Sequence, residues 1–215
     1  MRYNIVFNEE DHSYLVDGRP VPSVTQVLRE MGLYGDRFDY LDESYRLFGT
    51  AVHKACALYL DGLRRGIDPD GWGRLDQEAT DPRVLEYVDQ FRQAVHALNF
   101  QPQLIETPVC YAGVVAGTLD AWGDSIYGEI LIDIKASMAK MPAYSLQTAA
   151  YELCLESTYA DTEEKRCLAR MCIYLSGQKF SIDHHQGRGD RILFLEALSL
   201  YQWKAEHRLI QTNTK

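Results

Sequence analysis

The 215-residue sequence has no uninterrupted apolar run approaching the ~18 residues that a membrane-spanning helix requires. Its opening, Met1-Arg2-Tyr3-Asn4, lacks the charged-then-apolar order of a secretion signal, so the chain is expected in the cytoplasm and away from membranes. Cysteine is scarce. Cys56, Cys110, Cys154, Cys167 and Cys172 are odd in number, scattered, and form no CxxC pair. This excludes a disulfide framework and a zinc knuckle, and predicts reduced, mostly buried thiols. Cys167 and Cys172 lie five apart on an expected strand, which points them to opposite faces and argues against a shared metal. Positive charge is also short, with 22 Lys and Arg against 31 Asp and Glu and a net charge of -9. Taken alone, that opposes a nucleic-acid partner. The deficit is uneven, because residues 161–215 carry 9 basic against 7 acidic side chains. A chain that gathers carboxylates around metal ions is also acidic overall.

With 46% hydrophobic and 25% charged residues, and with no repeat or low-complexity linker, the sequence predicts one α/β domain over 1–215. Within it we expect an N-terminal hairpin and helices (1–100), a core (101–183) and a C-terminal helix (188–210). His12 to Val16, Asp17-Gly18 and Arg19 to Pro22 read as strand, turn and extended return, followed by Ser23 as the N-cap of a short helix. Val52, Cys56, Tyr59, Leu60 and Leu63 recur at helical spacing, predicting a helix from Leu47 to Arg65 with His53 near its beginning. Residues 66–81 are rich in Gly, Asp and Pro and form a surface connection or a lid. A second helix opens at Asp81-Pro82. Strands are expected over Gln103–Tyr111, Val114–Trp122 and Glu129–Ala136 as an antiparallel meander. A helix over Ala143–Ser157, strands over Cys167–Ser176 and Lys179–Asp183, and a helix over Asp190–Leu209 follow. That order gives a central mixed β-sheet flanked by helices.

In Leu131-Ile132-Asp133-Ile134-Lys135 the strand period of two puts Asp133 and Lys135 side by side on one face. One account is a simple salt bridge at a strand end. The other is a carboxylate that binds a divalent cation next to an ammonium that acts on a water. The preceding strand carries Gly117-Thr118-Leu119-Asp120, and a tight meander brings Asp120 beside Asp133. Two such carboxylates repel without a cation between them, and Mg²⁺ and Mn²⁺ favour carboxylate oxygens. In Gly49-Thr50-Ala51-Val52-His53 the imidazole is a further candidate ligand or a structural histidine. Gln147 and Tyr151, four apart, share one helix face from which they reach phosphate oxygens or steady the lysine.

Taken together and in order, GTAVH, GTLD, LIDIK and QTAAYELCL resemble the PD-(D/E)XK nuclease superfamily in its RecB-like arrangement, over about residues 49–155. HSYLVDGRPVPSVTQVL is similar to the opening of phage-type exonucleases in the same group. The resemblance implies a restriction-endonuclease-like core in which His53, Asp120, Asp133 and the backbone carbonyl of Ile134 bind Mg²⁺ or Mn²⁺. Lys135 positions or deprotonates the attacking water, Gln147 and Tyr151 support the site and the DNA backbone, and Glu106 is an outer or second-metal carboxylate. The chain departs from the pattern in having no proline before Asp120. It also lacks the late cysteine group that holds an iron-sulfur cluster in some relatives, so no cluster is expected. The implied activity is a metal-dependent DNA exonuclease of recombination, repair or phage DNA processing, with a recombination or replication protein as an expected partner. An endonuclease of the same superfamily and a catalytically silent binding or assembly protein are the alternatives. Lys140, Lys179 and Arg188 are candidate phosphate contacts on charge alone.

Overall fold

A computed structural model describes residues 2–35, 43–67, 75, 80–161, 167 and 169–210. The N-terminal strands β1 (Ile5–Asn8), β2 (Ser13–Val16) and β3 (Arg19–Val21) form a small antiparallel sheet. Val16 pairs with Arg19 around Asp17-Gly18, and both turn residues take positive φ (51° and 77°), the conformation that an Asp-Gly hairpin supplies at least strain. The Ser23 side chain then accepts from the Gln26 amide at 3.0 Å and starts α1 (Val24–Glu30).

Helices α2 (Glu43–Arg65) and α3 (Pro82–Leu98) pack against each other through their apolar stripes, with Tyr59 and Phe91 edge-on at 6.1 Å. Asp81 caps α3 and Pro82 occupies its first turn, where a missing N–H costs nothing. The expected start of α2 at Leu47 is four residues late, which leaves His53 in the middle of the helix rather than near its beginning. Most of the 66–81 connection, and with it the lid reading, lies outside the described residues.

The main sheet has the order β4-β5-β6-β7-β8, from β4 (Gln101–Tyr111), β5 (Val115–Ser125), β6 (Gly128–Lys135), β7 (Ala169–Leu175) and β8 (Phe180–His185). All neighbours are antiparallel except β6 and β7, which run parallel and are joined through α4 (Ala143–Thr158). The chain is therefore an α/β domain with a mixed five-stranded sheet between helices, as its element order predicted. Strand β6 is buried on both sides: Ile130, Ile132 and Ile134 join the core with α2 and α3, while Leu131 joins the core with α1, α4 and α5 (Asp190–Glu206). Arg170, 6% exposed, ties β7 to α4 and α5 through Glu152 (3.3 Å) and Asp190 (3.1 Å).

Strand β7 starts at Ala169, so Cys167 precedes it rather than sharing it with Cys172, and the opposite-face argument for that pair does not apply. All five cysteines are free, and every one but Cys167 is buried. No described helix is long and apolar enough to cross a membrane.

Candidate metal centre

The site is built where β5 and β6 part. Their ladder runs as far as Ala121 opposite Ile132, while β6 continues along β7 to Lys135. Beyond Ile132 the edge of β6 that β5 leaves unpaired is met by a side chain: Asp120 Oδ2 accepts from the Ile134 amide at 2.6 Å. This bond satisfies a backbone donor and fixes the carboxylate, so that Oδ1 lies 3.4 Å from Nδ1 of His53 on α2. Glu106 on β4 completes the group. Its flanking residues Ile105 and Thr107 pair with Ala121 and Leu119, which sets Glu106 opposite Asp120. Glu106 holds φ at 42°, left-handed backbone that a non-glycine residue keeps only when its surroundings impose it, and such residues cluster at functional sites.

One donor atom from each of His53, Glu106 and Asp120 lies within 4.8 Å of the others, close enough to hold a metal ion. The electrostatics fit that use. Burial opposes the charged form of Asp120, but His53 and the Ile134 amide outweigh it and hold the carboxyl below its ordinary range. Burial likewise opposes protonation of His53, and Asp120 more than offsets it, raising the imidazole. The Glu106 carboxyl is pushed upward, first by the protein crowded around it and then by Asp120, while His53 and Lys54 pull it back. Two carboxylates and an imidazole converging within this distance form an oxygen-rich donor set suited to Mg²⁺ or Mn²⁺.

Asp133 lies outside that set. It is 2% exposed, and its Oδ2 meets Lys135 Nζ at 2.7 Å and the Cys172 thiol at 3.4 Å. Burial raises its carboxyl and Lys135 pulls it back. The side-by-side placement of Asp133 and Lys135 on one face of β6 is as the strand period predicts. Their direct bond makes Asp133 first a partner of Lys135, whereas Glu106, expected as an outer or second-metal carboxylate, stands in the candidate metal cluster itself.

Lys135 is held on three sides. Its ammonium is 2.7 Å from Asp133, 3.1 Å from Gln147 Oε1 and 4.3 Å from the centre of the Tyr144 ring. Burial disfavours the charge, but Asp133 foremost keeps the lysine protonated, well above its ordinary value. Gln147 is shared: Oε1 also accepts from the Tyr34 hydroxyl at 3.2 Å, and Nε2 donates to the Tyr151 hydroxyl at 3.2 Å. Both Gln147 and Tyr151 are 6% exposed, and of the two roles open to them in the sequence these contacts supply the steadying of the lysine, directly from Gln147 and at one remove from Tyr151. Gly117 has a steric reason in this arrangement, since a Cβ there would fall 2.6 Å from the Tyr151 ring.

No protein-family model matches the sequence, and no curated protein matches it. A solved structure described as the crystal structure of SSO0001 is similar over 83% of this chain and 84% of its own, at 12% identity and a TM-score of 0.33.

Beside Lys135 and His53 a cavity of about 250 Å³ opens between α2, α4 and the end of β6. Tyr34, Tyr144 and Arg46 line it, and none of the three was singled out in the sequence. Tyr144 carried a signal, because it precedes Gln147 by three and so shares its helix face. Tyr34 carried none, since it meets Gln147 across 113 positions of chain. Of the candidate phosphate contacts, Lys140 is paired with Asp183 at 2.5 Å, and Lys179 stands in the β7–β8 turn at the same sheet end as Lys135. Arg188 lines a different cavity, with Glu156 and Arg191, that shares no residue with the one at Lys135.

Proposed function

We propose that the protein is a metal-dependent deoxyribonuclease of the PD-(D/E)XK superfamily, RecB-like in arrangement, that hydrolyses phosphodiester bonds at DNA ends. The observation that carries this reading is the convergence of His53, Glu106 and Asp120 beside the Asp133–Lys135 pair. His53, Glu106 and Asp120 would hold Mg²⁺ or Mn²⁺. Lys135 and Cys172 both address Oδ2 of Asp133, so that Oδ1 and the Ile134 carbonyl would serve as further oxygen donors. A divalent cation bound there supplies Lewis-acid polarisation of the phosphate and of a nearby water.

The residues of the chain do the rest. Asp133, Gln147 and Tyr144 all favour the ammonium form of Lys135, so its role is that of a fixed cation rather than a proton acceptor. It orients the attacking water and offsets charge that develops on the phosphate oxygens. The water oxygen adds to phosphorus and one P–O ester bond breaks, while a proton released by the water passes through solvent to the leaving oxygen. Contacts of this kind are made to the backbone, so little base preference is expected.

The test is digestion of end-labelled linear single-stranded and duplex DNA beside a closed circle, with Mg²⁺, Mn²⁺ or EDTA and with Lys135→Ala as control. Metal-dependent loss of linear DNA alone, abolished in the variant, supports an exonuclease, and cutting of the circle shifts the reading to an endonuclease. No cleavage with either metal, or cleavage indifferent to Lys135→Ala, overturns the catalytic reading in favour of a silent binding protein.

A further inference from the structure

Gly49 sits inside the 23-residue helix α2, where glycine is among the least favourable residues. Packing gives no reason for it. A Cβ at Gly49 would meet nothing within 4 Å, and its φ is not positive, in contrast to Gly117 with the Tyr151 ring against it. The open space faces the cavity beside the metal centre. Arg46, Gly49 and His53 all line that cavity, and spacings of three and four place them on one face of the helix.

Two permanent cations line the same cavity, Arg46 and Lys135. Lys135 is committed to Asp133, whereas among the described residues no carboxylate forms an ion pair with the exposed Arg46. A guanidinium with no carboxylate partner among the described residues, beside the bare backbone at Gly49 and two turns before His53, is suited to a phosphate with two oxygens to offer.

We propose that Arg46 and Gly49 form a phosphate subsite next to the metal centre, holding the backbone phosphate that adjoins the scissile one. The proposal rests on the nuclease reading above. Gly49 lets the strand lie close against α2, and Arg46 clamps the neighbouring phosphate, so that the scissile bond is presented to His53, Asp120 and Lys135. The subsite reads the backbone and not the bases.

The experiment uses the full chain with a fluorescein-labelled single-stranded oligonucleotide in Ca²⁺, read by anisotropy across a salt series, alongside thermal melts and cleavage in Mg²⁺. Arg46→Ala should weaken binding about tenfold and reduce the slope of log affinity against log salt by about one. Replacing the linkage next to the scissile one by a neutral methylphosphonate should weaken the wild type and leave Arg46→Ala nearly unchanged. Gly49→Ala should raise the melting temperature by about 2–4 °C, as relief of a helical glycine in a chain of this size would, while Gly49→Leu lowers affinity and cleavage in a folded protein. The subsite is overturned if a wild type that binds and cleaves DNA is matched in affinity and salt slope by Arg46→Ala, or in cleavage by a folded Gly49→Leu. A wild type inert toward DNA would instead overturn the nuclease reading and the subsite with it.

Discussion

The Lys135 ammonium lies 4.3 Å from the centre of the Tyr144 ring, in addition to its bonds to Asp133 and Gln147. A cation over an aromatic face in a partly desolvated site gains about 1–2 kcal/mol, and Phe presents the same face as Tyr. Tyr144→Phe is therefore expected to keep cleavage within about twofold of wild type, and Tyr144→Leu to lower kcat roughly tenfold with little change in KM. Steady-state kinetics separates the two, and the lysine side-chain resonances of a labelled sample should lose the ring-current shift of Lys135 in the Leu variant alone.

Glu106 and Asp120 are carboxylates brought together against their own repulsion, one of them on left-handed backbone. In EDTA, Glu106→Gln should melt about 2–4 °C above wild type, as removal of roughly 1 kcal/mol of repulsion would produce. Addition of Mn²⁺ should then raise the melting temperature of wild type and not of the variant, since only the former has the full donor set. Equal response of both proteins to Mn²⁺ would remove Glu106 from the site.

Gly117 and Tyr151 touch so closely that Gly117→Ala must displace the ring or the strand. Overpacking of this kind costs about 1–3 kcal/mol, and here it also moves the hydroxyl that Gln147 Nε2 addresses. Urea unfolding should show the loss of stability, and the double variant Gly117→Ala, Tyr151→Leu should recover part of it without recovering activity.

His185 on β8 supplies a pH-dependent term away from the metal centre. Burial first, and then Arg170, lower its pKa below the ordinary 6.5, against the opposing pull of Asp183 and Asp190. Its Nδ1 is 2.9 Å from Thr148 Oγ1, whose own hydrogen goes to the Ser145 carbonyl, so the imidazole donates there. Because the folded value is depressed, the unfolded chain binds the proton first. The contribution is complete above about pH 6.5 and is lost as pH falls from there through the lower folded value. Urea midpoints measured from pH 7.5 downward should decline less steeply for His185→Gln than for wild type; parallel curves would contradict the assignment.

Much of this arrangement is legible in the sequence because it is local. Asp-Gly between alternating residues specifies the β2–β3 hairpin, Ser23 and Asp81 specify helix starts, and the period of two puts Asp133 beside Lys135. What the sequence withholds depends on distant partners. Four-residue β1 carries too short an alternation to be recognised, and it owes its strand to pairing with β2. Glu106 enters the cluster because β4 pairs with β5 in one particular register and twists locally to positive φ. Tyr34 reaches the site from far along the chain, through Gln147 and the Tyr144 ring. The choice of Asp133 between cation and lysine turns on side-chain orientation, about which spacing carries no information.

The central claim is that three residues from α2, β4 and β5 make one metal centre, and calorimetric titration of Mn²⁺ into wild type and Asp120→Asn tests it most directly. Saturable binding to wild type, lost or weakened at least tenfold in a folded Asp120→Asn, is the predicted result. Absence of binding to wild type, or equal binding to both proteins, would contradict the account.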